Sequence, residues 1–405
     1  MSGGPETLDA LLSFIAAACI AWLLVPPSEA IAWRLGAIDE PRGRGLHVVP
    51  TPRLGGLAIL VAVLVSGAIW LPWSGQTRAI LAGAAAITAL GAIDDIYELG
   101  AAPKLVGQIA ASTIPVLAGV RVETLNFLGI TVPSLGWTSY PLTVLGIVAI
   151  ANMINFIDGV DGLASGVCAI AAMAFAVIAL SLDRGPAGVL AALTAGASLG
   201  FLRHGFPPAS SFMGDTGSNL LGYLLAVIAV QGALKTNAVI ALILPLLVLA
   251  VPIFDASFVV AKRIKHRLPI YRADRSHLHH RMANIGFSQR RTLAYLYGWT
   301  LVMAGLALAL RFIPYHLHGR WHLEWAAALA LCGLIALAAS AYLVYVLEIL
   351  KLRRVRVSDL RGLRTASGRP APSPEAIDRA VAQELETGSF PTIDPETGEF
   401  EALES

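Results

Sequence analysis

Residues 141–162, PLTVLGIVAIANMINFIDGVDG, join an apolar run to a cluster of polar side chains. Two carboxamides and two carboxylates, Asn152, Asn155, Asp158 and Asp161, end this stretch at spacings of three residues. A membrane segment carries such groups only where they hold something, because each is costly to place in hydrocarbon. The stretch therefore predicts a helix that crosses a membrane and ends at a polar site.

Similar apolar stretches fill most of the chain and predict an all-α polytopic membrane protein. The 405 residues are 56% hydrophobic and only 14% charged, with a mean hydropathy of +0.69. Several windows reach the ~18 apolar residues that a helix needs to cross a bilayer. A β-barrel is disfavoured because these windows are continuously apolar and do not alternate. We predict about eleven transmembrane helices, over residues 8–33, 54–73, 79–95, 104–120, 141–157, 163–182, 187–204, 216–234, 237–262, 293–313 and 323–350.

The segments between and after these helices predict loops and a tail. Residues 121–140 alternate apolar and polar side chains and contain turn formers, which predicts a short external hairpin. We expect residues 1–350 to form the transmembrane domain. Residues 351–405 begin with basic residues and end with acidic ones, which predicts a largely disordered cytoplasmic tail. The three cysteines lie inside apolar runs and show no metal-binding or disulfide spacing.

The distribution of charge orients the predicted helices. Most of the 29 lysine and arginine residues fall in loops on one side of the membrane and in the tail. The positive-inside rule places that side in the cytoplasm, with the N-terminus outside and the C-terminus cytoplasmic. We therefore expect a multi-pass protein of the cell membrane (the inner or plasma membrane), with active-site loops on the cytoplasmic side.

Clustered acids, cations and histidines all fall at this predicted cytoplasmic edge. Carboxylates that repel one another should recruit a cation. Oxygen ligands from Asp and Asn favour Mg²⁺, or Mn²⁺, over zinc, and Mg²⁺ commonly completes its shell with phosphate oxygens. Lysine, arginine and histidine side chains are suited to bind phosphate. The pattern therefore predicts a magnesium-dependent reaction of a phosphate group.

Each cluster taken alone has a plainer explanation. The acids Asp94 and Asp95 could form a solvated helix end, and Asn152 and Asn155 could bridge neighbouring helices. The basic residues of the loop 262–291 could only enforce topology, and its HLHH sequence could be a metal-binding tract. Because all of these clusters are predicted to lie on the same side of the membrane, one common site is favoured over these separate explanations.

Five ordered motifs resemble the polyprenyl-phosphate N-acetylhexosamine-1-phosphate transferases (glycosyltransferase family 4). This family includes the WecA-type enzymes and the phospho-MurNAc-pentapeptide translocases. The motifs are HVVPTPRLGG (47–56), GAIDDIYELG (91–100) with Lys104, NMINFIDGVDGLASG (152–166), FMGDTGSNLLG (212–222) and DRSHLHHRM (274–282). The resemblance implies transfer of GlcNAc 1-phosphate from UDP-GlcNAc to undecaprenyl or another polyprenyl phosphate. The products would be polyprenyl-diphosphate-GlcNAc and UMP, in the first membrane step of a cell-envelope glycan pathway.

The resemblance also implies roles for individual residues. It makes Asn155 and Asp215 the ligands of Mg²⁺. It assigns Asp94 as the proposed base and implies that Lys104 binds the lipid phosphate. The catalytic residues that it implies are Asp94, Asp95, Asp158 and Lys104. The substrate-binding residues that it implies are His47, Arg53, Asn152, Asp161, His277, His279, His280 and Arg281.

The sugar and the protein class leave alternatives open. The sequences PTPRLGG and HLHH favour the GlcNAc branch over the phospho-MurNAc-pentapeptide translocases, and other UDP-N-acetyl sugars remain alternatives. A lipid-linked sugar transporter is the alternative outside the enzymes, but transporters usually place ionisable groups near the bilayer midplane. The expected partners are UDP-GlcNAc, a polyprenyl phosphate and membrane lipid, without nucleic acid. A homodimer is compatible with the sequence.

Overall fold

The computed structural model describes most of the chain up to residue 342. The described residues are 5–40, 50–127, 130–132, 135–232, 243–265, 282, 287–317 and 320–342. The predicted tail, residues 351–405, lies outside them. The chain divides into two compact units, of which the first comprises residues 1–253 and 293–333 and the second residues 254–292 and 334–405. The candidate site lies within the first unit.

Helices make up nearly all of the regular structure that is described. Ten are numbered here: α1 (Pro5–Leu35), α2 (Gly56–Trp70), α3 (Gly75–Tyr97), α4 (Ala101–Leu117), α5 (Ser139–Ile157), α6 (Leu163–Ser181), α7 (Gly185–Gly205), α8 (Gly214–Gln231), α9 (Ile243–Val248) and α10 (Ala250–Lys265). Two further helices follow, Gln289–Phe312 and Leu323–Tyr342. The expected all-α architecture of a multi-pass membrane protein is confirmed.

The predicted number of membrane crossings is not confirmed. Each of the eleven predicted spans contains helix, but only seven described helices are long and apolar enough to cross a membrane. Helix α2 has 15 residues, because the backbone at Leu71 is extended and ends it. Helix α4 has 17 residues. The predicted span 237–262 lies partly outside the described residues, and its described part contains α9 and most of α10, which continues to Lys265.

Three short antiparallel hairpins connect the described helices. They pair β1 (Ile38–Asp39) with β2 (Thr51–Pro52), β3 (Leu125–Phe127) with β4 (Ile130–Val132), and β5 (His316–Leu317) with β6 (Arg320–Trp321). In the second hairpin, Phe127 pairs with Ile130. This hairpin confirms the one predicted within residues 121–140, and its external location stays a prediction.

Helix α8 forms the centre of the first unit. Every residue from 216 to 230 is buried. Gly56 of α2 and Gly91 of α3 lie directly against the backbone at the start of α8, where a Cβ on either glycine would overlap it. Small residues allow this close approach between membrane helices. The start of α8 is therefore enclosed by neighbouring backbone on two sides.

Helices α1 and α7 meet at a similarly close interface. Gly196 and Gly200, one turn apart on α7, lie against the backbone carbonyl oxygens of Phe14 and Ala18 on α1. The opposite face of α1 remains exposed, and Trp22 is 50% exposed. In a membrane protein such an exposed apolar face contacts lipid. Helix α1 therefore belongs to the periphery of the first unit.

Candidate active site

The ends of four helices bring polar side chains together at one place. Helices α3 and α5 contribute residues from their last turns, and α4 and α8 contribute residues from their first turns. The four side chains are Asp94, Lys104, Asn155 and Asp215, which we call the ion-pair layer. Sequence analysis places all four in one site, and the structure brings them into direct contact.

Lys104 joins the two acids of the ion-pair layer. Its Nζ atom lies 2.8 Å from Asp94 Oδ2 and also pairs with Asp215 Oδ2. The Lys104 side chain is 18% exposed and that of Asp94 is 8% exposed. Because charges interact more strongly when they are partly removed from water, this pairing offsets much of the repulsion between the acids. Lys104 therefore holds the end of α3 and the start of α8 together electrostatically.

Asn155 completes the ion-pair layer from α5. Its Nδ2 donates to Asp215 Oδ1 and to Ser218 Oγ at 2.8 Å. Ser218 Oγ in turn donates to the carbonyl oxygen of Gly214 at 3.0 Å. The carboxamide of Asn155 is thus held against the first turn of α8, beside the Asp215 carboxylate.

Asp95 caps the start of α8. Its Oδ1 accepts the backbone N–H of Asp215 at 2.9 Å. Its Oδ2 accepts the backbone N–H of Thr216 at 2.9 Å and the Thr216 hydroxyl at 2.6 Å. The first N–H groups of a helix lack partners within the helix and carry partial positive charge, so a carboxylate stabilises them. Asp95 therefore fixes the backbone from which Asp215 projects.

Gly214 allows this cap to form. Its φ angle is 66°, in the left-handed region that favours glycine. A Cβ at this position would overlap the Asp95 carboxylate and the carbonyl oxygen of Arg53. The glycine before Asp215 thus permits both the turn and the close approach of the Asp95 carboxylate.

A second set of polar side chains lies one helical turn from the ion-pair layer. It comprises Gln108, Asn152 and Asn219, which we call the carboxamide layer. Gln108 Oε1 accepts from Asn152 Nδ2 at 2.8 Å, and Gln108 Nε2 donates to Asn219 Oδ1 at 2.9 Å. Asn219 Nδ2 donates to the carbonyl oxygen of Asp215 at 2.9 Å. Asn152 thus bridges helices in this structure.

Asp158 and Asp161 lie in the turn between α5 and α6. Asp161 Oδ2 accepts the backbone N–H of Ala209 at 3.1 Å, which ties this turn to the segment before α8. Desolvation raises the pKa of Asp158 well above its usual range, and the negative charge of nearby carboxylates raises it further. Burial and the neighbouring carboxylates therefore favour the neutral form of Asp158 in this turn.

Arg53 lies beside the site on the first hairpin. Its guanidinium pairs with the carboxylate of Asp39, and its backbone N–H donates to the Ala37 carbonyl at 3.0 Å. The neighbouring Pro52 carbonyl accepts the N–H of Phe212 at 2.8 Å, which docks the hairpin on the segment before α8. The substrate-binding role of Arg53 stays a prediction.

The donor set of the ion-pair layer fits a hard divalent cation. Among the described residues, no three His, Cys, Asp or Glu side chains form a metal-binding group. Mg²⁺ needs only one or two protein carboxylates, however, and takes its other oxygens from water and phosphates. Asp215 supplies one carboxylate. Rotation of the Asn155 side-chain amide by a half-turn exchanges its Nδ2 and Oδ1 atoms and places Oδ1 next to that carboxylate. These two residues can therefore hold Mg²⁺ while a substrate supplies further oxygens.

Comparison with known proteins identifies the family of this chain. The model for glycosyl transferase family 4 matches residues 77–233, which contain the whole ion-pair layer. The chain is 38% identical over 303 residues to a probable undecaprenyl-phosphate N-acetylglucosaminyl 1-phosphate transferase of Bacillus subtilis (strain 168). That similarity covers 74% of this chain and 84% of the Bacillus protein. This chain belongs to glycosyl transferase family 4.

Two other relatives of this family 4 chain differ in their named substrates. A decaprenyl-phosphate N-acetylglucosaminephosphotransferase of Mycobacterium leprae is 37% identical over 345 residues, covering 77% of this chain and 87% of that protein. A phospho-N-acetylmuramoyl-pentapeptide-transferase of Moorella thermoacetica is 32% identical over 320 residues, covering 73% and 97%. The family expected from the five sequence motifs is thus confirmed.

Several predicted site residues of this family 4 chain fall outside the described residues. These are His47, His277, His279, His280 and Arg281. Their proposed contacts with substrate stay predictions. The catalytic role of Asp95 also stays a prediction, and its observed contacts are those of a helix cap.

Sequence analysis missed three residues that organise the site. Ser218 and Asn219 are part of a quoted motif, but only their helical spacing from Asp215 reveals that they share its side of α8. Gln108 lies four residues after Lys104 in a largely apolar helix. This spacing could have revealed that Gln108 shares a helix face with Lys104, because residues three and four apart lie on one face of a helix.

Proposed function

We propose that this membrane enzyme transfers GlcNAc 1-phosphate from UDP-GlcNAc to a polyprenyl phosphate and releases UMP. The observation that carries the proposal is the placement of Lys104 between Asp94 and Asp215 where four helix ends meet. A cation and acids at helix ends suit a reaction between a lipid headgroup and a soluble nucleotide sugar. The names of the Bacillus and Mycobacterium relatives support this choice of substrates.

The proposed reaction exchanges one phosphorus–oxygen bond for another. An oxygen of the polyprenyl phosphate attacks the β-phosphorus of UDP-GlcNAc. The bond between this phosphorus and the oxygen that bridges the two phosphates breaks, and that oxygen leaves with UMP. The product is polyprenyl-diphosphate-GlcNAc. Little covalent chemistry falls to the protein in such a transfer, so positioning and electrostatics supply most of the catalysis.

The residues of the ion-pair layer divide this work. Lys104 binds the lipid phosphate, and Asp94 keeps the lysine ammonium in place while serving as the proposed base for any protonated phosphate. A phosphate monoester is already largely ionised near neutral pH, so orientation of Lys104 is the larger contribution of Asp94. Asn155 and Asp215 hold Mg²⁺, or Mn²⁺ in its place. When bound, the metal neutralises charge on the diphosphate.

We propose that this site faces the cytoplasm, with the N-terminus outside. The excess of basic residues in the loops on the same side as the site supports this orientation. The polyprenyl chain then lies in the bilayer, and its phosphate reaches the helix ends from the membrane surface. A homodimer stays a prediction.

Two alternatives compete with this proposal. A phospho-MurNAc-pentapeptide transferase fits the same chemistry, and the Moorella relative supports it at 32% identity. The sequences PTPRLGG and HLHH and the higher identity to the Bacillus protein favour GlcNAc. A lipid-linked sugar transporter fits less well, because Asp94 and Asp215 lie in terminal turns of their helices and not at mid-helix.

Release of UMP by the purified protein in detergent tests the proposal. Each reaction contains undecaprenyl phosphate with either UDP-GlcNAc or UDP-MurNAc-pentapeptide, in Mg²⁺ or in EDTA. We expect UMP only with UDP-GlcNAc and only with Mg²⁺. Release only with the pentapeptide donor would keep the reaction and change the sugar. No release with any UDP-N-acetyl sugar would overturn the enzyme proposal in favour of transport.

A further inference from the structure

We infer that the carboxamide layer, Gln108 with Asn152 and Asn219, is a positioning device that sets where Lys104 and Asp215 meet. This inference rests on the proposed function, because it assigns Lys104 to the lipid phosphate. It extends that function by naming Gln108 as the residue through which the binding of lipid phosphate is tuned.

The two layers repeat the same arrangement at successive helical turns. Gln108 follows Lys104 by four residues on α4, and Asn219 follows Asp215 by four residues on α8. Residues at this spacing lie above one another on one helix face. The helix pair that is joined by an ion pair in the first layer is therefore joined by carboxamides in the second.

The hydrogen bonds of the carboxamide layer join three helices, α4, α5 and α8. Gln108 both accepts from Asn152, at 2.8 Å, and donates to its Oδ1, at 3.4 Å. Gln108 also donates to Asn219 at 2.9 Å. A side chain held by two partners on different helices fixes the rotation of its own helix. Gln108 therefore fixes the face that α4 presents to α5 and α8.

Burial makes this layer sensitive to the loss of a single member. Gln108 and Asn219 are each 1% exposed. A buried polar group that loses its partner keeps its full desolvation penalty. Removal of the Gln108 carboxamide leaves Asn152 and Asn219 without their shared partner, so α4 is expected to rotate or shift. The Lys104 ammonium would then leave its place between the two acids.

The layer also reaches the backbone that carries the proposed metal ligand. Asn219 Nδ2 donates to the carbonyl oxygen of Asp215 at 2.9 Å. Gln108 is thus linked through Asn219 to Asp215, and through its own helix to Lys104. Carboxamides suit this task because they stay neutral at all accessible pH values and do not compete with substrate phosphates for Lys104.

The test replaces Gln108 with the apolar side chain of nearest length, Gln108→Met. We expect the KM for polyprenyl phosphate to rise about tenfold, because a displaced Lys104 ammonium loses about one charged hydrogen bond to the lipid phosphate. The KM for UDP-GlcNAc should change less than about twofold. The matched control is Ser112→Ala, one turn further along α4, where the buried hydroxyl has no hydrogen bond partner within the described part of the chain. This control should leave both KM values unchanged.

A second background separates positioning of Lys104 from general stabilisation. In Lys104→Met protein, Gln108→Met should add little to the KM for polyprenyl phosphate, because residues that act through one another are not additive. An equal rise in both backgrounds would overturn the inference, as would unchanged kinetics of Gln108→Met in the wild-type background. If Gln108→Met does not fold, Gln108→Asn keeps the polar groups on a shorter side chain and replaces it in both backgrounds.

A binding measurement keeps this test separate from the proposed reaction. Polyprenyl phosphate should raise the Tm of the wild-type protein, and Gln108→Met should weaken this rise while Ser112→Ala preserves it. Absence of UMP release from the wild-type protein would refute the proposed function alone. An equal Tm rise in wild type and Gln108→Met would refute the positioning role, whatever reaction the protein performs.

Discussion

Asp95 Oδ1 accepts the backbone N–H of Asp215 at 2.9 Å. The neighbouring acid, Asp94, faces a different partner, the ammonium of Lys104. Two adjacent carboxylates at the end of α3 thus do different work, one at the backbone of α8 and one at the ion-pair layer. This division makes the consequences of replacing each acid distinguishable.

Replacement of Asp95 should reduce stability more than replacement of Asp94. Each Asp95 carboxylate oxygen accepts one backbone N–H, and Asp95→Asn removes the charge and replaces one of these oxygens with an NH₂ group. We therefore expect a loss of about 1–2 kcal/mol in the free energy of unfolding. Turnover should fall as well, because the backbone of Asp215 loses its cap. Thermal unfolding and UMP release measure the two effects. Equal stabilities of Asp94→Asn and Asp95→Asn would contradict the cap assignment.

Replacement of Asp215 should abolish turnover and leave the protein folded. Asp215→Asn removes the carboxylate that is proposed to hold Mg²⁺, and we expect UMP release to fall by at least about 10²-fold. Mg²⁺ should also lose its stabilising effect on the Tm, which is a readout independent of turnover. Normal activity at saturating Mg²⁺ would remove Asp215 from the metal site.

Removal of the Lys104 charge should weaken the binding of lipid phosphate. Lys104→Met is expected to raise the KM for polyprenyl phosphate by about tenfold or more. The KM for UDP-GlcNAc should rise less. Arg121→Met provides a control, because Arg121 pairs with Glu123 and Tyr140 near the second hairpin and not with the ion-pair layer. A larger effect on the KM for UDP-GlcNAc would reassign Lys104 to the nucleotide.

A single methyl group at Gly91 should disturb the packing of α3 against the start of α8. The Cβ of Gly91→Ala would overlap the carbonyl oxygen of Asp215 and the nitrogen of Thr216. We expect a loss of about 1–3 kcal/mol in stability, as for other overpacked interiors, together with reduced turnover. Gly146→Ala is the control, because a Cβ there meets nothing within 4 Å and alanine favours helix. Wild-type stability of Gly91→Ala would show that α3 moves freely against α8.

Sequence patterns predicted the helices and the family better than they predicted the contacts. Continuous apolar runs define membrane helices because backbone groups in lipid must pair within the helix. The exact bounds of the membrane crossings were harder to predict. An apolar residue such as Leu71 adds to the hydropathy of a window even where its extended backbone ends the helix. The motifs also placed the acids in one site, although five proposed substrate contacts lie outside the described residues.

The separate tasks of Asp94 and Asp95 could not be predicted from their order in the chain. Adjacent residues in a helix point about 100° apart, and only the position of α8 decides which of them meets its first N–H groups. Gln108 was missed for a similar reason. Its importance arises from two partners on other helices, and sequence spacing reveals only the face that it shares with Lys104.

The burial of α8 has a consequence for how the enzyme responds to its bilayer. Every residue from 216 to 230 is enclosed by protein, whereas α1 exposes Leu23 at 63%. Hydrophobic mismatch acts on surfaces that touch lipid, so a thicker or thinner bilayer tilts peripheral helices before it displaces α8. Asp215 is therefore positioned by its protein neighbours and not by membrane thickness. We expect turnover to vary little among vesicles of lipids with different chain lengths, even where the tilt of α1 changes.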